Sequence, residues 1–275
     1  MENTKFKSDP YNFSNVEITQ QDILNILTNL NIQNYKINNL SLFQQAFVHT
    51  FYCKMKDYED YSKPNNWLPL YKKSYETLEF LGDSFLGCIV TNYLYNRYVR
   101  YHNKDEGFLT KLKIRFVCGE QLGFLSNKLN FNKFMIISKH IEDNHSGREN
   151  IHILEDIYEA FIGALYLDSR DFHLIETFII SSIEKYIDIS DTILNDNNYK
   201  DQLLRYFQHN FKVHPKYETI KVVEDNNFEC KIFRKKEGDN YVENIYICSG
   251  TGNTKKKAEQ NSSRNALIHY RVMSE

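Results

Sequence analysis

Two stretches of the chain place carboxylates where apolar side chains dominate. In the first, Glu76, Glu79 and Asp83 fall at i, i+3 and i+7 among Leu78, Phe80, Leu81, Phe85, Leu86, Ile89, Val90, Tyr93 and Leu94. In the second, Asp156 and Glu159 stand three apart among Ile153, Leu154, Ile157, Phe161, Ile162, Leu165 and Leu167. On a helix these spacings align the acids of each stretch along one face. A helix apolar over most of its circumference is buried on more than one side. No Lys, Arg or His stands between the acids of either stretch, and burying ionised carboxylates without partners is costly. Oxygen donors without Cys or His suit a hard divalent cation, Mg²⁺ or Mn²⁺. Two such helices face to face would offer four carboxylates to one metal site. That site would lower the pKa of a bound water and hold an anionic phosphoryl group, as phosphodiester hydrolysis requires. A single acid pair reads more readily as helix-end charge or as exposed side chains paired with distant Lys and Arg. Two pairs on two apolar helices reverse that preference.

Other chemistries have weaker support. Glu142-x-x-His145 and Glu149-x-x-His152 have the spacing of a di-iron bundle, but they share one polar segment interrupted by Gly147 and read as solvated loop residues. No G-x-S-x-G, P-loop or HExxH sequence occurs, and Cys88 and Cys118 on apolar faces read as core. The five cysteines form no C-x-x-C pair, which fits reduced thiols in a cytosol-like compartment. Thirty-four Lys and Arg against 36 Asp and Glu, with 41% hydrophobic content, describe an ordinary globular chain of 275 residues. No apolar run is long enough for a membrane span, and Met1-Glu2-Asn3-Thr4-Lys5 lacks a secretory profile. The expectation is a cytoplasmic protein.

The elements that must position the acids follow from periodicity. Thr19-Gln20-Gln21-Asp22 reads as a capping box opening a helix with Ile23, Leu24, Leu27 and Leu30 on one face. Leu42, Phe43, Ala46 and Phe47 form a second apolar stripe. Residues 51–73, polar and aromatic with a turn at Lys63-Pro64-Asn65-Asn66, read as a long surface loop or insertion. Helical patterns resume at 75–98, 107–117, 119–129, 151–168 and 171–188. The polar stretch 191–198 reads as a linker between residues 1–190 and residues 199–275. Beyond it the charge turns from net negative to net positive, and the pattern becomes helix, three strands (Tyr217–Val223, Phe228–Phe233, Glu243–Cys248) and helix, with a hairpin turn at Gly238-Asp239-Asn240. The fold class is mainly α, an all-helical domain followed by a small α-β-β-β-α domain.

Glu76-Thr77-Leu78-Glu79-Phe80-Leu81-Gly82-Asp83-Ser84 resembles the signature of the ribonuclease III family at all nine positions. Leu154-Glu155-Asp156-Ile157-Tyr158-Glu159-Ala160 is similar to its second acidic motif. Asp105-Glu106-Gly107 with a Lys-bearing helix, and Ala46-Phe47-Val48-His49-Thr50, also fit. Gly250-Thr251-Gly252-Asn253-Thr254-Lys255-Lys256-Lys257-Ala258-Glu259-Gln260 resembles the end of a double-stranded-RNA-binding domain. The resemblance implies a Mg²⁺-dependent homodimeric endoribonuclease that cuts double-stranded RNA, leaving 5′-phosphate and 3′-hydroxyl ends. By the same resemblance Glu79, Asp83, Asp156 and Glu159 are the metal ligands, Asp83 and Glu159 the pair named catalytic, and Glu76 and Glu120 acids with a supporting role. Phe80 matches the aromatic that inserts into the partner subunit; an ordinary core Phe is the other reading.

The second domain departs from the family pattern. Leu204 and Arg205 stand where a Gln-Glu pair reads the minor groove, and Asp225-Asn226-Asn227 replaces a Gly-Pro-x-His loop. Lys255, Lys256 and Lys257 remain at a helix N-terminus, where cations are unfavourable unless an anion arrives. Phosphate clamping by these lysines, helped by Arg205, is the expectation. The rival reading is a double-stranded-RNA-binding protein that sequesters duplexes, a silencing suppressor for which cleavage is secondary.

Overall fold

In the computed structural model, residues 9–190, 198–222, 227–238 and 241–273 are described. The chain divides into two compact units, Met1–Ile193 and Leu194–Glu275. The predicted linker, apart from Asn198, lies outside the described residues, as do Asp225, Asn226, Asp239 and Asn240.

The first unit is helical. Helix α1 (Gln20–Asn29) opens on the expected capping box: Thr19 accepts from the Asp22 N–H while the Asp22 side chain accepts from the Thr19 N–H. Helix α2 (Leu40–Gln45) follows. Helix α3 (Glu76–Leu94) runs on through a π turn (Tyr95–Val99) into α4 (Arg100–His102). Next come α5 (Glu106–Phe116), α6 (Gly119–Lys128), the short α7 (Lys139–Asn144), α8 (Ile151–Ser169) and α9 (Phe172–Tyr186). Helix α8 is capped by Asn150, whose side chain accepts from the N–H groups of His152 and Ile153. Its buried residues lie on nearly every side, which makes it the central helix of the core, flanked by Phe43, Phe47, Leu86, Leu122, Phe131 and Phe178. Among the described residues no helix is long and apolar enough to cross a membrane.

Residues 51–73 are more than a surface loop. Two 3₁₀ turns (Thr50–Tyr52, Lys56–Tyr58) and a bridge between Cys53 and Tyr71 fold the segment back on itself. Tyr11, Val48, Tyr52 and Ile136 form a separate small core beneath Trp67, Leu68 and Tyr71. Tyr52 is fully buried, and its hydroxyl donates to the Leu68 carbonyl at 2.9 Å. An aromatic-rich segment without period 2 or 3.6 shows no helix or strand signal, yet it buries enough apolar surface to order itself. Glu142 also differs from expectation: it lies in α7 and pairs with Arg148 at 3.2 Å, largely out of solvent. Arg148 further donates to the carbonyl of Met135 at 2.6 Å and to the side chain of Asn15 at 3.0 Å. Cys88, expected in the core, is exposed.

The second unit is α10 (Tyr199–Phe211), strands β1 (Pro215–Val222), β2 (Asn227–Gly238) and β3 (Tyr241–Gly252), then α11 (Lys255–His269). The strands form an antiparallel sheet in the order β1-β2-β3. Strands β2 and β3 extend beyond their predicted spans at both ends and β1 begins earlier than predicted, while Val223, its predicted end, lies outside the described residues. Leu203, Phe207, Ile232, Ala266 and Leu267 make the core between helices and sheet. At Gly250 a Cβ would stand 2.7 Å from the Ser262 Cα, so its lack of a side chain lets β3 and α11 pack backbone to backbone.

Candidate active site

The two acid-bearing helices cross at glycines. A Cβ built on Gly82 of α3 would lie 2.6 Å from the Glu159 carbonyl carbon, and one on Gly163 of α8 would lie 3.0 Å from the Leu78 carbonyl carbon. Neither atom would fit. The pair of glycines therefore brings the backbones together beside Glu79, Asp83, Asp156 and Glu159. Leu78 and Leu86 on one helix, and Leu154, Phe161 and Leu165 on the other, are buried and hold the crossing from the apolar side.

The four acids differ in burial. Glu159 is 8% exposed, Glu79 and Asp156 are half-buried, and Asp83 is exposed, as is Glu76 beside them. Burial first, then the charges of Asp83, Glu155, Glu79 and Asp156, push the Glu159 carboxyl up to about 8. Glu79 is pushed up to about 7 by burial and then by Asp156, Glu76, Asp83 and Glu155. Every charge named in these two environments is negative. Asp156 is also raised, chiefly by burial, against the lowering effect of a hydrogen bond from Tyr75. That bond, from the Tyr75 hydroxyl to Asp156 Oδ2, measures 2.7 Å, so Asp156 is not the partnerless carboxylate the sequence implied.

Such a cluster is an electrostatic conflict that a divalent cation would relieve. The donors are carboxylate oxygens alone, which fits Mg²⁺ or Mn²⁺ and disfavours softer metals. Among the described residues no three His, Cys, Asp or Glu side chains converge into a ready-made coordination group.

Sequence reasoning missed two members of this neighbourhood. Glu155 adds a further carboxylate, raised by burial and by Asp156, with His152 Nδ1 at 3.7 Å. It lies over Gly119 at the start of α6, where a Cβ would stand 2.8 Å from its carboxyl carbon. Tyr75 is the other; its spacing from Asp156 along the chain gave no signal. Glu120 sits exposed in the first turn of α6. Phe80 is 78% exposed, so it is not a core residue.

In the second unit Lys255, Lys256 and Lys257 are all exposed in the first turn of α11, with Thr254 capping the Lys257 N–H and no acid in that turn. Arg205 lies on α10 and pairs with Asp201 at 3.1 Å, with about half its side chain exposed.

Comparison with known proteins agrees with this division. The family description "Ribonuclease III domain" matches residues 76–170, and "Double-stranded RNA binding motif" matches residues 199–270. The "Probable ribonuclease 3" of Acanthamoeba polyphaga mimivirus is 34% identical over 263 residues, covering 94% of this chain and 47% of that protein. The chain thus spans about half the length of that relative. "Ribonuclease 3" of Borreliella afzelii (strain PKo) is 31% identical over 263 residues, 96% of each chain. Among solved structures, the nuclease domain of ribonuclease III from Campylobacter jejuni is 27% identical, with a TM-score of 0.47, covering 62% of this chain and 97% of that one. With a ribonuclease 3 relative at 31% identity matched over 96% of its length, and the ribonuclease III domain followed by the double-stranded RNA binding motif, the chain belongs to the ribonuclease III family.

Proposed function

We propose that the chain is a divalent-metal-dependent endoribonuclease that hydrolyses double-stranded RNA as a homodimer, leaving 5′-phosphate and 3′-hydroxyl ends. The observation that carries this reading is the glycine crossing, which gathers carboxylates from two helices, where the charges that raise Glu79 and Glu159 are all those of neighbouring carboxylates. Glu79, Asp83, Asp156 and Glu159 would hold Mg²⁺ or Mn²⁺, with Asp83 and Glu159 as the pair closest to the chemistry and Glu76 and Glu120 in support. Such an ion would supply Lewis-acid polarisation of a phosphoryl group and lower the pKa of a bound water. The buried Glu159 anchors one side of the site, and the exposed Asp83 faces the open side where a phosphodiester can approach. Phe80, apolar and exposed beside Glu79, supports a contact with a second copy.

The lysines of α11 bring the duplex to the enzyme. Three exposed cations at a helix N-terminus bind phosphates irrespective of sequence. An intracellular setting completes the reading, supported by five free cysteines. The test is to incubate the purified chain with long duplex RNA in Mg²⁺, and in Ca²⁺ or EDTA. Cleavage in Mg²⁺ alone is expected. A duplex that is bound and left intact in Mg²⁺ would instead favour sequestration.

A further inference from the structure

We propose that Tyr75 is a positioning residue for the metal site, and that the folded 46–75 segment serves to aim its hydroxyl at Asp156. This rests on the metal-dependent reading above and assigns a role to the segment that the catalytic acids leave unexplained. Tyr75 is 3% exposed, stands at the entrance of α3, and reaches across to α8. Its hydroxyl donates to Asp156 Oδ2 at 2.7 Å, a link across 81 positions of sequence. A phenol has one proton to give, so this bond fixes one carboxylate oxygen and thereby the rotation of the whole group.

The phenol is itself held from several directions. The Tyr75 N–H donates to the Val48 carbonyl at 2.9 Å, and the His49 ring packs against the Tyr75 ring edge to face, 5.9 Å between centroids. His49 is oriented in turn, since its Nδ1 accepts the Phe51 N–H at 3.1 Å. Val48 and His49 are tied into the body through Ile136, whose carbonyl accepts the His49 N–H at 2.9 Å. On the other side, Gln45 donates to the Ser74 carbonyl at 2.9 Å. The chain between is closed by Tyr71 N–H to Tyr52 carbonyl at 3.2 Å and Lys54 N–H to Tyr71 carbonyl at 2.9 Å. A free loop would need none of these ties to cover the surface. Together they fix where α3 begins and where the side chain of Tyr75, just ahead of it, points.

Partners of metal-binding side chains keep the ligands oriented, and their loss typically weakens metal affinity roughly 10–100-fold. Tyr75 touches neither substrate nor ion in this scheme; it acts through Asp156. The test uses the full chain and Mn²⁺ as the probe, titrated by calorimetry or electron paramagnetic resonance. Wild type is compared with Tyr75→Phe, Asp156→Asn, the double variant and Glu159→Gln, with duplex-RNA affinity measured in EDTA for each. Tyr75→Phe should weaken Mn²⁺ binding about 10-fold or more, leave RNA affinity unchanged, and raise the Mg²⁺ concentration needed for cleavage while high Mg²⁺ restores turnover. Added to Asp156→Asn, it should cause no further loss, because its effect passes through that carboxylate. Unchanged Mn²⁺ affinity in Tyr75→Phe, with Glu159→Gln impaired, overturns the role of Tyr75 alone. Additive losses in the double variant overturn it as well. Failure of the wild type to bind Mn²⁺ overturns the metal-dependent reading beneath it.

Discussion

Gly82 lies against the backbone carbonyl of Glu159, so close that a Cβ would fall 2.6 Å from the carbonyl carbon. The crossing of α3 and α8, and with it the gathering of the acids, depends on that missing side chain. Gly82→Ala should therefore force the helices apart. A cost of about 1–3 kcal/mol or more is expected from overpacking, with a fall in Mg²⁺-dependent activity that exceeds the loss of folded protein. Gly87→Ala on the same helix is the control, because its Cβ would meet only the Lys113 amine at 3.9 Å. Urea unfolding of both variants checks this; equal stability would contradict it.

The metal-free chain should lose stability as pH rises. Glu79 and Glu159 have an ordinary value of 4.5 and titrate at about 7 and about 8 in the folded state. Between those limits the folded chain holds protons that the unfolded chain has released. Unfolding then releases protons, and stability falls with increasing pH across that window. Denaturation midpoints measured in EDTA should show the decline, and Glu159→Gln should show less of it. Mg²⁺ should flatten the curve by supplying the opposing charge. Rising wild-type stability relative to Glu159→Gln over the same window would contradict the assignment.

Phe80 is 78% exposed within one chain, so its truncation should cost the monomer little, within about 0.5 kcal/mol for a surface position. Its expected effect is on assembly. Phe80→Ala should shift sedimentation at low concentration from dimer towards monomer while the thermal transition of the monomer stays in place. An unchanged dimer would refute the contact.

Lys255, Lys256 and Lys257 should set the salt dependence of duplex binding. Changing all three to Ala should flatten the slope of log affinity against log salt by roughly two to three units, at ~0.9 per phosphate contact. Discrimination between duplex RNA and duplex DNA should be modest if, as the family resemblance implies, Leu204 and Arg205 stand at the minor-groove reading positions; Arg205 is moreover engaged with Asp201. Strong RNA preference surviving the triple substitution would show that this domain binds by other contacts.

Much of the first unit is legible in its sequence because burial imposes period 3.6 on it. The helices at 76–94, 106–116, 119–128, 151–169 and 172–186 lie close to the predicted spans, and the Thr19–Asp22 capping box forms. The acids stood out because they interrupt that period with charge. Tyr75 did not, since its bond to Asp156 joins distant positions and a buried tyrosine looks like any core aromatic. Gly82 and Gly163 carry no such signal, because what makes them necessary is their close approach to the facing helix, which only the packing shows. The small core around Tyr52 was hidden because aromatic side chains without periodicity mark neither helix nor strand. Likewise Glu142 looked solvated because its partner Arg148 follows across a glycine break rather than at helical spacing.

The most direct test of the account is the cleavage rate of long duplex RNA by Glu159→Gln in Mg²⁺, measured beside duplex binding by the same protein. The substitution keeps the shape of a side chain that is 8% exposed and removes one charged ligand from the cluster. Cleavage should fall by orders of magnitude while duplex affinity stays near that of the wild type. Near-native turnover in Mg²⁺ would contradict the central claim that these carboxylates form the catalytic metal site.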